Sequence, residues 1–153
     1  MVNYWDRLKT LKIYSLQRRR DRFMILLIYK MVAGIQDPIG FKREDIRYSD
    51  RRNITVKPIL SRERRKRKWV QTLRYKAFPA TAISMYNVMP GELRTIYPSV
   101  NAFKGELDRW LETIPDEPDC SNLKTNAPSN RLLDQVEYIR RNLRGQTRQG
   151  GSN

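Results

Sequence analysis

The chain of 153 residues contains no histidine and a single cysteine, Cys120. A zinc site built from cysteine and histidine, and a nucleophile activated by histidine, are therefore excluded within this sequence. One cysteine also cannot build an intrachain disulfide framework, and the N-terminal residues lack the charged and then apolar layout of a secretory signal. We therefore expect a reducing compartment, the nucleus or the cytoplasm.

Long apolar runs and phosphate-binding loops are missing as well. The longest uninterrupted apolar run, residues 23–29, is far shorter than the roughly 20 residues needed to cross a bilayer. The 7 glycines are scattered and form no loop of the Walker or dinucleotide-binding type. We expect no membrane partner, no cofactor and no nucleotide hydrolysis.

Positive charge is what the sequence has in excess, and it lies entirely in the first half. Residues 1–40 hold 8 Lys/Arg against 3 Asp/Glu, residues 41–76 hold 14 against 4, and residues 77–153 hold 9 against 9. All of the net charge of +15 thus precedes residue 77. A local field of this sign attracts polyanions and accelerates their binding, so nucleic acid is the first candidate partner.

Apolar positions at the helical period predict four main helices, each preceded by a capping residue. They begin after Asn3, Ser15, Ser99 and Ser129, and are expected to end near Tyr14, Ala33, Ile114 and Leu143. A shorter helix is expected at residues 80–88. Between residues 35 and 61 the sequence predicts a loop with one short strand at residues 53–56.

A second strand is predicted where Leu73, Tyr75 and Ala77 alternate with polar residues. Together the strands predict a short antiparallel hairpin at about residues 53–78. We therefore expect an α+β fold, a small and mainly helical domain over residues 1–144. Its basic half spans 1–76, its neutral helical half spans 77–144, and residues 145–153 are expected to be a disordered tail.

The densest basic run, residues 62–68, is followed by an aromatic residue, Trp69. Cations beside an aromatic platform are typical of proteins that hold single-stranded or structured RNA. A solvated loop or a nuclear-import signal has the same composition. Because the excess exceeds what solubility requires, we predict nucleic-acid binding, to RNA or DNA, by Arg18, Arg19, Arg20, Arg22, Arg51, Arg52, Arg62, Arg64, Arg65, Lys66, Arg67, Lys68, Trp69, Arg74 and Tyr75.

The four arginines at residues 18–22 need a partner, because cations near a helix start oppose the helix dipole. Two partners are possible, a phosphate backbone or the acidic turn at residues 116–119 folded against them. The acids Asp108 and Glu112 share a helix face, but they lie beside Lys104 and Arg109 and are interpreted as a solvated surface. We expect no metal site, no catalytic residue and no enzyme activity.

The aromatic side chains divide into two groups. Trp5, Tyr14, Tyr29, Phe103 and Trp110 fall on apolar helical faces and are expected in the core, whereas Trp69 and Tyr75 are the candidates for base stacking.

Three segments together resemble a known family. Residues 4–20, continued by residues 29–34, resemble the segment that follows the polymerase domain of non-LTR retrotransposon reverse transcriptases. Residues 86–94 read Tyr-Asn-Val-Met-Pro-Gly-Glu-Leu-Arg and are similar to that family's aromatic-Asn-x-Leu-Pro-x-x-Leu-Arg element, with methionine for the usual first leucine. Residues 99–111 are similar to its Phe-Lys-x-x-Leu-Asp helix, and order and spacing agree from about residue 3 to residue 138.

The resemblance implies the non-catalytic region downstream of the polymerase domain, whose catalytic motifs would precede residue 1. Combined with the charge, it predicts a sequence-tolerant nucleic-acid-binding module, with RNA as the first candidate. One alternative is a scaffold subunit of a ribonucleoprotein that binds a protein through its neutral helices, which exposure of Phe103, Trp110 or Leu133 would favour. Another is a degenerate retroelement remnant without activity.

Overall fold

A computed structural model describes residues 3–39, 41–48, 53–57, 78–117 and 129–149, with side chains up to residue 142. Within these ranges the chain forms five α-helices and one antiparallel pair of strands, in the order α1 (Tyr4–Leu11), α2 (Leu16–Val32), β1 (Ile46–Tyr48), β2 (Ile54–Val56), α3 (Phe78–Val88), α4 (Val100–Glu112) and α5 (Leu132–Gln149). One-turn 3-10 helices precede β1 at Arg43–Asp45 and follow α3 at Gly91–Leu93. The predicted fold class, mainly helical α+β, is confirmed.

Two of the predicted caps form as expected. Ser15 Oγ accepts the backbone N–H of Arg18 at 3.1 Å, and Ser99 Oγ accepts that of Ala102 at 3.1 Å. Each contact satisfies a backbone donor in the first turn of its helix. Gly34 follows α2 with a φ of 75°, a left-handed conformation that glycine adopts without steric cost.

The ends of the first and last helices differ from the prediction. α1 stops at Leu11, because Lys12 takes a left-handed conformation with a φ of 52°. α5 continues to Gln149, past residue 145, where the sequence predicts the start of a disordered tail. One glycine, Gly145, costs a helix only about 1 kcal/mol, and the glutamines and arginines around it are good helix formers.

The hairpin lies earlier in the chain than predicted. The strand Ile54–Val56 is confirmed, but its antiparallel partner is Ile46–Tyr48, in a stretch where the sequence predicts a loop. Alternation over three residues, Ile46–Tyr48, is a weak signal when it is considered alone. The predicted strand through Leu73, Tyr75 and Ala77 falls outside the described residues.

The chain groups into two compact units, one formed by Met1–Arg20 and Leu111–Asn153 and the other by Asp21–Trp110. In the first unit, the buried apolar side chains come from the end of α4, the residues after it and α5: Leu111, Ile114, Leu132 and Val136. Three polar side chains are buried with them, those of Ser15, Arg18 and Gln135.

The second unit has the larger apolar core among the described residues. Helices α2 and α4 meet through the rings of Tyr29 and Phe103, which stack with their centroids 3.8 Å apart. Tyr29 Oη also accepts the backbone N–H of Tyr97 at 3.1 Å. Strand β2 packs on α3 with Ile54 and Val56 buried. The core positions predicted for Tyr29 and Phe103 are confirmed, whereas Trp5, Tyr14 and Trp110 are partly exposed.

No helix in the described part of the chain combines the length and the apolar character needed to cross a membrane.

Candidate nucleic-acid interface

In the first unit, one carboxylate holds the start of α2. Asp116 accepts the backbone N–H of Ser15 with Oδ2 and the Ser15 hydroxyl with Oδ1, both at 2.6 Å. Arg18 Nε lies 3.6 Å from Asp116 Oδ1, and Arg18 Nη2 donates to the Pro115 carbonyl at 2.6 Å. We call these contacts of Ser15, Arg18, Pro115 and Asp116 the Asp116 clasp. The Arg18 side chain is 0% exposed, so its guanidinium belongs to the interior.

Arg22, in the second unit, is paired in a similar way. Its Nε and Nη2 donate to the two carboxylate oxygens of Asp108 at 2.5 and 2.7 Å, a bidentate contact between α2 and α4. This geometry is among the stronger forms of arginine–carboxylate pairing. Asp108, expected on a solvated helix face, is thus the acid of an internal pair.

Arg19 and Arg20 differ from both neighbours. Each is exposed, and neither side chain forms a hydrogen bond or ion pair with any residue that the structure describes. The arginine cluster therefore splits into two side chains that bind acids of the chain itself and two that face solvent. Both partners considered for this cluster remain relevant, because the acidic turn accounts for Arg18 and no described acid pairs with Arg19 or Arg20.

Nucleic-acid contacts at Arg18 and Arg22 stay a prediction, and the structure shows that both guanidinium groups already have partners within the chain. Arg18 is buried against Pro115 and Asp116, so phosphate could reach it only if the clasp opened. The Nε and Nη2 edge of the Arg22 guanidinium already donates two hydrogen bonds to a carboxylate, that of Asp108. Composition alone cannot separate these residues from Arg19 and Arg20.

The other eleven predicted site residues all lie outside the described part of the chain. They are Arg51, Arg52, Arg62, Arg64, Arg65, Lys66, Arg67, Lys68, Trp69, Arg74 and Tyr75. Among the described residues, no group of three or more His, Cys, Asp or Glu side chains is placed to hold a metal ion.

Two residues of β1 have exposed side chains and are not among the predicted site residues, namely Arg47 and Tyr48. Arg47 is exposed, and 66% of Tyr48 is exposed although its cross-strand partner Ile54 is buried. Ile46 and Tyr48 flank a polar residue just as Ile54 and Val56 do, and two such alternating segments close together in the sequence predict a hairpin.

The second strand is held on its other edge by the segment that resembles the retrotransposon element. The Asn87 side chain accepts the N–H of Val56 at 3.0 Å and donates to its C=O at 2.7 Å, as a neighbouring strand would. The Arg94 carbonyl accepts the N–H of Ile54 at 2.7 Å. Residues of this element therefore position the hairpin.

Tyr86, in the same segment, is fully buried. Its hydroxyl has no hydrogen-bond partner within the described residues, and burial raises the pKa of this phenol above its ordinary value. Its role is therefore packing of the second unit rather than proton transfer.

The neutral helices direct their main apolar side chains inward. Phe103 is fully buried, and Trp110 and Leu133 are of intermediate exposure. The exposure that would favour a protein partner on these faces is thus absent at Phe103. Docking through these helices stays a prediction without support from Phe103.

Comparisons of the chain with protein-family models, with curated proteins and with solved structures find no match. The resemblance to the region downstream of the polymerase domain in non-LTR retrotransposon reverse transcriptases stays a prediction that rests on the three sequence segments.

Proposed function

We propose that this chain is a non-catalytic, sequence-tolerant nucleic-acid-binding module, with RNA as the preferred ligand. The observation that carries the proposal is the split arginine cluster. Arg19 and Arg20 remain exposed without an acid partner among the described residues, close to a helix N-terminus whose dipole disfavours them. A phosphate backbone supplies the missing negative charge.

The clasp around Asp116 supports this role because it fixes the helix that carries the two exposed arginines. Ser15 and Arg18 are both tied to the turn at Pro115 and Asp116, which keeps the first turn of α2 folded at the place where Arg19 and Arg20 emerge. A pre-ordered helix loses less conformational entropy on binding than a disordered basic tail.

Contacts to phosphate carry no sequence information, so this arrangement implies tolerance of sequence. The basic run at residues 62–68 adds to the same attraction on grounds of charge. The sequence resemblance agrees with this proposal, since a region downstream of a polymerase domain would hold template or product without performing chemistry.

The test is binding to an unstructured single-stranded RNA at several salt concentrations, followed by fluorescence anisotropy. Each lost phosphate contact should reduce the slope of log K against log salt by about 0.7. Arg19→Gln with Arg20→Gln should therefore reduce it by about 1.4. The matched control is Arg109→Gln with Arg141→Gln, which removes the same charge from arginines paired with Glu106 and Glu137 and should change the slope less.

Two results would overturn the proposal. The first is wild-type affinity that does not fall steeply with salt. The second is an equal loss in the two double variants, because only net charge would then matter. Neutralising Arg64, Arg65, Arg67 and Lys68 should weaken binding further, and no effect of that change would remove the basic run from the site.

A further inference from the structure

We propose that β1 is a nucleotide-binding edge for single-stranded nucleic acid, in which Tyr48 stacks against an unpaired base and Arg47 contacts a phosphate. This inference rests on the proposed function and deepens it, because it names the form of nucleic acid and a site for a base. The occupant is a single strand, since bases within a duplex are stacked on both faces and offer no free face to a side chain.

The exposure of Tyr48 is the first observation. Its cross-strand partner Ile54 is buried, so paired positions on one face of the hairpin have opposite environments. β2 packs on α3, which buries Ile54, whereas 66% of Tyr48 remains exposed. An aromatic ring on a regular strand with this exposure presents a flat apolar surface at low conformational cost.

The hydrogen-bond pattern gives the orientation of β1. Ile54 and Val56 donate their N–H groups to Arg94 and Asn87, away from β1. Thr55 therefore faces Arg47 across the ladder, and the backbone polar groups of Tyr48 point to the outer edge of β1. Successive side chains alternate, so Arg47 and Tyr48 lie on opposite faces of this edge. A strand that crosses the edge would place a base on one face and its phosphate on the other.

Hydrogen bonds hold both strands of the hairpin in place. Lys57 donates its N–H to the carbonyl of Asp45 at 2.8 Å, and the Asp45 carboxylate accepts the N–H of Lys42 at 3.0 Å. β2 is fixed on its other edge by the side chain of Asn87. A platform held in this way does not have to be ordered when a base arrives.

The surrounding charge selects a polyanion as the occupant. The described residues 41–48 and 53–57 contain four Lys/Arg, namely Lys42, Arg43, Arg47 and Lys57, against two acids, Glu44 and Asp45; of the four, Arg43 forms an exposed ion pair with Asp37 at 3.6 Å. Asp45 is already engaged by a backbone N–H. An exposed ring within a few residues of the exposed cations Lys42 and Arg47 matches the combination of stacking and phosphate contacts in single-strand binders.

The experiment compares two RNA probes with equal numbers of phosphates, an unstructured single strand containing one fluorescent adenine analogue and a perfect duplex. The variants are Tyr48→Leu, Tyr48→Phe and Arg47→Gln, with Tyr138→Leu as the control at another exposed tyrosine. Circular dichroism of each variant checks that the fold is kept.

Tyr48→Leu should lower single-strand affinity about tenfold and abolish quenching of the adenine analogue, with duplex affinity unchanged. Tyr48→Phe and Tyr138→Leu should behave as wild type. Arg47→Gln should reduce the salt slope on the single strand by about 0.7 and keep the quenching.

The two probes distinguish failure of the proposed function from failure of the inference at β1. If the wild-type protein binds neither probe, the proposed function fails, and this inference with it. If it binds both but Tyr48→Leu leaves quenching and the single-strand preference intact, only the inference at β1 is overturned.

Discussion

Replacing Asp116 by alanine should destabilise the protein, because this carboxylate joins the start of α2 to the turn that follows α4. The change removes both hydrogen-bond acceptors of Ser15 and the carboxylate beside the buried guanidinium of Arg18. Hydrogen bonds to charged groups contribute about 1.5–3 kcal/mol, and removing one partner of a buried ion pair costs about 3–5 kcal/mol.

These contributions overlap, and two features of the site reduce them. The Asp116 side chain is 23% exposed, and Arg18 keeps its hydrogen bond to the Pro115 carbonyl. We therefore expect a loss of about 3 kcal/mol for Asp116→Ala, at the lower end of the range for a buried pair. Asp116→Asn retains the shape and one acceptor without the charge, so it should lose about half as much.

Urea unfolding followed by circular dichroism measures this loss. With a slope of about 1–3 kcal/mol/M, the midpoint of Asp116→Ala should fall by about 1–3 M. The control is the adjacent Glu117→Ala, which removes the same charge from an exposed pair with Lys9 and should leave the midpoint unchanged. Equal midpoints for the two alanine variants would refute the stabilising role of the Asp116 clasp.

Asn87→Ala leaves two backbone groups of Val56 without their partner, so it should cost about 1–3 kcal/mol and speed hydrogen exchange of the Val56 amide; unchanged protection would contradict this. Burial raises the pKa of Tyr86 in the folded protein above the value of about 10 in the unfolded chain. The neutral phenol therefore makes its full contribution to the free energy of unfolding below about pH 10, and this contribution is lost as pH rises further. Tyr86→Phe should flatten that alkaline loss without lowering stability at neutral pH, and an unaltered profile would argue against it. A double-mutant cycle of Arg22→Met and Asp108→Ala should give a coupling of about 1 kcal/mol, against nearly zero for Arg109 and Glu106.

The helices could be predicted because their signals are local. Ser15, Ser99 and Gly34 act on the first or last turn of their own helix, and the buried rings of Tyr29 and Phe103 follow the helical period. The hairpin could be predicted only in part. Strand Ile46–Tyr48 has only three residues, so its alternation is recognisable only when it is matched with that of β2.

The candidate site was predictable as a region and not residue by residue. The sequence places four arginines within one helix start, but the acids that bind two of them, Asp108 and Asp116, are more than eighty residues away. Which arginine meets an acid depends on the packing of α2 within each unit. The exposure of Tyr48 could not be predicted either, because its cross-strand partner Ile54 is buried and the difference depends on what packs against the hairpin.

The split of the arginine cluster into paired and exposed side chains changes how much of the net charge of +15 is available to a ligand. If all four arginines at residues 18–22 contacted phosphate, they would contribute about 2.8 to the salt slope on a single strand, whereas Arg19 and Arg20 alone would contribute about 1.4. Arg18 and Arg22 neutralise carboxylates of the chain itself, so their charge stabilises the fold instead of attracting a ligand. The smaller value follows from the structure, because composition counts a paired guanidinium and an exposed one alike.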